Sequence, residues 1–438
     1  MVLDSACAMI VPLIIFVPYL AAFDREMMSF RREDLYNAPW FINMIRENRM
    51  LYAMSNVDLV SKLIPHLSIW GCTRTIKASI RRKPRAQITS TEGEACDASS
   101  STTRQSTLAT FFHWWRHRKH ERHQTRLEKF VHVFFIGWGL AILGAHLQAA
   151  HVATSQRDHA CIQELRPWLT NTFACATYQF NCATTGVQTV TSADLEVLHA
   201  TSLAGLIITN CPALEMPDTI QSFSQMIGIV IYNSSVAAWP ASAAVTAATH
   251  DELVCIIAVR TNFSAIPEGM LQSLPHTIQD IQIAVSNLTR LPDGVHEHWV
   301  ALSTIVLEYC AFTDFPIELL QIHLDRLSLI GSPIRELPDV FSTAMFGFVG
   351  FGISYNPWLS TLPASGFFPQ LQGIIIEATN VSELPAWAWA SNSSTRIFAI
   401  NTPFCAAHGN LTGKIECVQR DFEGQGFYPL AVADALYA

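Results

Sequence analysis

The sequence predicts an α/β solenoid, with short parallel strands stacked coil on coil behind membrane-crossing helices. Three observations predict it. An apolar motif recurs in tandem from residue 203 to residue 404. Two long uncharged apolar runs stand upstream of it. The charge is split, with a basic segment between the two runs and an acidic remainder after them.

The apolar runs come first in the chain. Ser5 to Phe23 and Phe130 to about Val152 carry no Lys, Arg, Asp or Glu. Each has the length needed to cross a hydrocarbon core of about 30 Å as a helix. A cleaved signal peptide is the rival reading of the first run, but only Asp4 precedes it and it lacks a basic leader. A buried helix is the rival reading of the second. Half of the 438 residues are apolar and only 15% are charged, which fits membrane segments or a heavily buried strand array.

Residues 24–129 hold 19 of the 28 Lys and Arg against 11 acidic residues. Residues beyond 150 hold 9 basic and 24 acidic ones. Lys and Arg near membrane segments stay on the cytoplasmic side. Residues 1–23 and 130–152 therefore read as transmembrane helices, 24–129 as a basic cytoplasmic loop, and the C-terminal part as extracellular at the plasma membrane. All six N-x-[ST] sequons lie after the second run: Asn233, Asn262, Asn287, Asn380, Asn392 and Asn410. Eight of the eleven cysteines lie there too, where oxidising conditions permit disulfides.

Within the loop, residues 33–82 read as helical. Leu51–Trp70 is apolar but carries Asp58, Lys62 and His66. It makes a poor third span and reads as an interfacial or core helix. Residues 86–108 are rich in Ser and Thr and read as a flexible linker. In residues 113–129, His113, His117, His120 and His123 fall at helical spacing. A metal site is one reading; a basic helix on anionic lipid headgroups is the stronger one. No cofactor and no metal is expected.

The repeat reads L-x-x-L-x-L-x-x-(S/T/C/N)-x-L-x-x-L-P, with copies starting at 203, 226, 253, 278, 302, 324, 348 and 371 and a degenerate ninth near 394. The x-L-x-L-x stretch alternates with period two, as a strand with its leucines inward does. One coil cannot bury its own leucines, so neighbours must stack. This is the leucine-rich-repeat pattern, with parallel strands on the concave face and an irregular or short-helical convex side. Residues 153–202 then form a cysteine-containing N-terminal cap, 203–404 the repeats, and 405–438 a C-terminal cap and tail.

The ninth position turns the chain between coils and should hydrogen-bond backbone groups. It is Cys211, Ser234, Thr261, Ser286, Cys310, Ser332, Asn356, Thr379 and Thr402. Cys211 and Cys310 are thus expected as free ladder thiols. Cys405 is expected to pair with Cys417, and one bridge is expected among Cys161, Cys175 and Cys182. Cys255 falls on the strand face and is either free or paired with the leftover N-terminal cysteine. Asn262, Asn287 and Asn380 share the tenth position, so glycans there would line one flank and leave the other flank and the concave face for binding.

The segments LAGLIITNCPALEMP, MIGIVIYNSSVAAWP, DRLSLIGSPIRELP and NTPFCAAHGN, the second apolar run VFFIGWGLAILGAHLQA and the ending GQGFYPLAVAD resemble oomycete (Phytophthora-like) membrane-anchored leucine-rich-repeat proteins. The resemblance runs from about residue 30 to the end. It implies a surface receptor or adhesion-type protein.

Phosphate-binding, zinc-protease, nucleophile-elbow and C-x-x-C motifs are absent from the sequence. His250, Asp251 and Glu252 read as a solvated turn. Binding is therefore expected rather than catalysis, through the concave positions Tyr232, Arg260, Asp280, Glu308, Tyr309, Asp325, Arg326, Tyr355 and Glu377. Apolar Ile207, Val230, Val259, Val306, Ile330 and Ile375 intersperse them. A partly apolar face favours a protein or peptide ligand and a receptor or co-receptor-like role. The alternative is a structural or adhesion module on cell-wall glycan or neighbouring surface proteins. The acidic repeats disfavour nucleic acid.

Overall fold

The computed structural model describes residues 2–25, 29–51, a few positions between 59 and 134, and 136–438 apart from 344–347, 367–369, 391–394, 410 and 419–427. The histidines of 113–123, the linker 86–108 and the sequons Asn392 and Asn410 lie outside the described residues. The chain forms two compact units, Met1–Leu13 with Tyr52–His151, and Ile14–Leu51 with Val152–Ala438.

The second unit is built on one twelve-stranded sheet whose strands lie side by side in chain order. They are β1 (Cys161–Leu165), β2 (Ala174–Asn181), β3 (Gly205–Thr209), β4 (Gly228–Tyr232), β5 (Cys255–Thr261) and β6 (Asp280–Ser286), then β7 (Thr304–Glu308), β8 (Leu324–Ser328), β9 (Phe348–Gly352), β10 (Gly373–Ile375), β11 (Arg396–Phe398) and β12 (Ile415–Glu416). Only β1 runs antiparallel; β2 to β12 are parallel. This is a leucine-rich-repeat solenoid.

The register matches the repeat residue by residue. The fourth positions Leu206, Ile229, Ile256, Ile281, Ile305, Leu327, Phe351, Ile374 and Ile397 are all buried. They stack as direct partners along the sheet. First-position residues from Leu203 to Leu371 are buried beside them. Each such side chain contributes about 1.5–3 kcal/mol of apolar burial. The pairs of an apolar residue and proline end on the convex side: Pro217, Pro240, Pro267, Pro316 and Pro385 each cap a single short helical turn. Proline fits there because a first-turn N–H has no intrahelical partner.

Every eighth position has a left-handed backbone: Asn210, Asn233, Arg260, Val285, Tyr309, Gly331, Tyr355, Ala378 and Asn401, with φ from 48° to 72°. This residue ends the strand and turns the coil. Asparagine and glycine tolerate it readily. At Gly331 a Cβ would also collide with the Tyr309 ring.

Behind that turn the predicted ladder forms in part. Asn356 Nδ2 donates to the carbonyls of Ile353 (2.7 Å) and Ser354 (3.2 Å). Thr379 and Thr402 hydroxyls donate to Ile376 and Ala399 at 2.8 and 2.6 Å. Ser234 Oγ accepts from the Cys211 N–H at 3.0 Å. The hydroxyls of Thr261, Ser286 and Ser332 are instead buried with no partner. An asparagine amide reaches several carbonyls from one position, whereas a hydroxyl has a single proton to place.

The caps follow the cysteines. Cys405–Cys417 closes the C-terminal end and Cys161–Cys175 the N-terminal hairpin of β1 and β2. Cys211 corrects the expectation of a free thiol: it is joined to Cys182. The cap supplies β2 as a coil of its own beside the first repeat, and Cys182, just after β2, lies next to the ninth position of that repeat. Cys255 and Cys310 are free and buried.

Upstream, α1 (Val2–Ala22) covers the first apolar run and α2 (Ala38–Leu51) follows it. The second run contains α3 (Ile136–Ser155), the one helix among the described residues long and apolar enough to cross a membrane; Pro12–Ala22 is a shorter apolar helix. The chain ends in α4 (Leu430–Tyr437).

Candidate functional site

The concave strand face is built from the third, fifth and seventh repeat positions. Its third-position column reads Gly205, Gly228, Cys255, Asp280, Thr304, Arg326, Gly350, Gly373 and Arg396. The fifth-position column begins Ile207, Val230 and Ile257. At the N-terminal repeats the face is therefore small and apolar, and two other pieces of the chain lie on it.

The first is α2. Ile42 is buried to 1% exposure against β3 and β4. A Cβ on Gly205 would collide with Ile42 Cδ1, so the glycine column makes the seat for this helix. At its C-terminal end Arg49 forms an ion pair with Glu252. At the other end the Pro39 carbonyl accepts from Gln163 Nε2 at 3.5 Å. Toward α1, Tyr19 donates to Glu47 at 2.6 Å and packs edge-on against Trp40 at 5.6 Å. The expected loop over 24–129 is not one separate piece of the chain: it divides after Leu51. Residues 38–51 belong to the same folded unit as the solenoid.

The second is the C-terminal segment with α4. Asp434 accepts two bonds from Arg260, Nε and Nη2 at 2.7 Å each, and a third from the Tyr232 hydroxyl at 2.8 Å. The Arg260 guanidinium holds the Asp434 carboxyl below its ordinary range. Glu308 is fully buried; it accepts from Ser328 Oγ at 2.6 Å and from the Tyr428 N–H at 3.2 Å. Tyr36 meets Tyr428 at 5.0 Å and Tyr232 meets Tyr437 at 5.7 Å. One apolar cluster joins Ile42, Ile207, Val230, Val259, Tyr428 and Tyr437. Burial raises the thiol of Cys255 and the phenol of Tyr428, both enclosed there.

The nine predicted concave residues thus divide. Tyr232, Arg260 and Glu308 hold the chain's own C-terminal segment; Tyr232 and Glu308 are buried, and Arg260, though exposed, is paired with Asp434. Asp280 is partly buried, and burial raises its carboxyl. Glu377 is buried and accepts from the Tyr355 hydroxyl at 3.5 Å. Tyr309, Asp325, Arg326 and Tyr355 are exposed. The open part of the face therefore lies over the C-terminal repeats.

Sequence reasoning missed α2 and α4 as occupants of the face. The aligned glycines at 205 and 228 beside Ile207 and Val230 are the signal that could have found them. Residues that small and apolar rarely line a solvated sheet.

His250 corrects the solvated-turn reading. It is fully buried, with Nε2 3.0 Å from the Ile220 carbonyl and Nδ1 2.8 Å from Thr249 Oγ1. Sequon residues Asn233, Asn262, Asn287 and Asn380 are exposed. Among the described residues, no group of three or more His, Cys, Asp or Glu stands placed to hold a metal ion.

No family model and no curated protein matches the sequence. Among solved structures, the chain is similar to the leucine-rich repeat domain of the type III effector XopL, at 12% identity over 71% of this chain and 100% of that one, TM-score 0.38. A chain from the octameric complex of Latrophilin 3, Unc5D and FLRT2 is 14% identical over 49% of this chain and 84% of that one, TM-score 0.34. A leucine-rich-repeat protein of Leptospira interrogans is 14% identical over 46% and 62%, TM-score 0.29. These likenesses are too distant to carry functional argument; the fold stands on its own strand register.

Proposed function

We propose that the chain is a membrane-anchored leucine-rich-repeat protein whose solenoid is extracellular and recognises a protein or peptide, in the manner of a receptor or co-receptor. One observation carries the reading. Over the C-terminal repeats the concave sheet carries exposed Arg326 at a position fixed by the strand register, with exposed Asp325 beside it and exposed Tyr309 and Tyr355 at the turns that end their strands. Rigid strands present such groups at little entropic cost. The apolar runs, the sequons and the three disulfides support a membrane-bound, extracytoplasmic setting. The resemblance to oomycete surface proteins agrees with it.

A second reading is a structural or adhesion module on cell-wall glycan or neighbouring surface proteins. The occupation of the N-terminal concave half by α2 and α4 favours it, because that half is committed to holding the chain together.

Peptide and glycan arrays probed with the full chain in lipid nanodiscs separate the two. The receptor-like reading expects saturable peptide binding that Arg326→Glu reduces at least about tenfold, the scale of one lost charge-assisted contact. Saturable glycan binding, unmoved by Arg326→Glu, would favour the adhesion reading instead.

A further inference from the structure

We infer that the seat of α4 is a second recognition site, held shut by α4 as an internal ligand. It takes a short partner helix that carries a carboxylate and, three residues on, an aromatic ring. This goes beyond the reading above, which concerns the exposed C-terminal repeats. The receptor is Arg260 with Tyr232. Arg260 grips the Asp434 carboxylate with Nε and Nη2, each at 2.7 Å, and the Tyr232 hydroxyl donates to the same carboxylate at 2.8 Å. A planar guanidinium that meets both oxygens recognises a carboxylate by shape as well as by charge.

The pattern that fits is the one α4 carries. Leu430, Ala433, Asp434 and Tyr437 stand at i, i+3, i+4 and i+7, so they share one helix face. Ala433 and Tyr437 are buried, and Leu430 packs against the same apolar cluster. The Tyr437 ring lies 5.7 Å from that of Tyr232. This is how an amphipathic helix fills a groove. The apolar anchors fix its register, and the carboxylate fixes its orientation.

The receptor is fixed without its occupant. Tyr232 ends β4 and Arg260 lies near the end of β5. Backbone bonds between coils hold both ends: the Asn210 N–H donates to the Tyr232 carbonyl at 3.0 Å and the Asn233 N–H to the Val259 carbonyl at 2.9 Å. By comparison α4 is lightly held. Its eight residues are fewer than an isolated helix needs. Pro429 stands at its N-cap with no side-chain bond, and of the eight residues Ala433 and Tyr437 alone are buried. The Arg260 and Asp434 side chains are 40% and 34% exposed, and solvent weakens an ion pair of that kind. The site is thus closed by an equilibrium. A free ligand binds it with an affinity lowered by the fraction of chains in which it stands open.

The test uses the full chain and a labelled synthetic peptide of residues 428–438. Asp434→Ala and Arg260→Ala both remove the ion pair and free α4, but Asp434→Ala alone leaves the receptor intact. Alanine already occupies the eighth position of another coil, Ala378 at φ 53°, so the backbone at 260 accepts it. Hydrogen exchange over 430–437 reports the release of α4, and protection of β6 to β12 reports a folded solenoid. The expected result is fast exchange of α4 in both variants. The peptide should bind Asp434→Ala saturably, at least about tenfold tighter than it binds either the unaltered chain or Arg260→Ala. Arg326→Glu, added to the Asp434→Ala chain, should leave this binding unchanged. Loss of binding there would put the peptide on the exposed repeats and overturn the second site. Equal binding by Asp434→Ala and Arg260→Ala would overturn it too, as would absence of binding once α4 exchanges freely. Slow exchange of α4 in Asp434→Ala would show that α4 is a fixed part of the fold and no displaceable ligand.

Discussion

Val285 is a β-branched residue held at φ 59°. A left-handed L-residue costs roughly 1–2 kcal/mol, and asparagine relieves part of this. Val285→Asn should therefore stabilise the solenoid by about 1 kcal/mol, raising its thermal midpoint. A lower midpoint would mean that Val285 contributes more by packing than it loses by strain. His250 gives a pH dependence of known sign. Burial lowers its pKa below the ordinary 6.5, so the unfolded chain binds the proton first. Its contribution is complete above about 6.5 and is lost as pH falls through the window below that value. Urea midpoints across pH 5 to 7 should drop on the acid side, and His250→Gln should flatten the change. Removing the imidazole leaves the Ile220 carbonyl without its partner, a loss of about 1–3 kcal/mol at any pH.

Among the elements, the strands are the most legible in the sequence. Inward leucines recur at fixed spacing because each coil repeats one packing problem, and the register follows from their positions. Cys405–Cys417 is legible too, as the last two cysteines near the chain's end. The Cys182–Cys211 bridge is not. Cys211 sits where a ladder residue belongs, and β2, the run ACATYQFN that carries the chain to Cys182, lacks the leucine pattern that would mark it as a coil. The occupants of the concave face are hidden for another reason. Arg49 and Glu252 lie 203 residues apart, and Arg260 and Asp434 lie 174 apart. No local period links such segments; only the small, apolar third- and fifth-position residues hint at a covering layer. Loss of the Cys182–Cys211 bridge by paired serine substitution should cost about 2–4 kcal/mol, measured by denaturant unfolding. An unchanged midpoint would show that the cap is held by strand pairing alone. Asp434→Ala should release α4 with little loss of global stability, because the Arg260 pair is partly exposed and such pairs contribute about 1 kcal/mol or less. Hydrogen exchange confined to 428–437 is the readout.

For the whole molecule, the solenoid is not a free concave platform tethered to a membrane. Its N-terminal half is an internal interface, sealed by a helix from upstream of the repeats and by the chain's own C-terminus. Over its C-terminal half Tyr309, Asp325, Arg326 and Tyr355 stay exposed, and this is where the proposed partner would bind. One helix seated on two glycines thus decides how much of the concave face is left open. Hydrogen–deuterium exchange of the full chain, compared with Gly205→Val, tests this most directly. The account predicts slow exchange in residues 38–51 of the unaltered protein. In the variant, exchange there should accelerate while β6 to β12 remain protected. Residues 38–51 exchanging as a free helix before any substitution would contradict it.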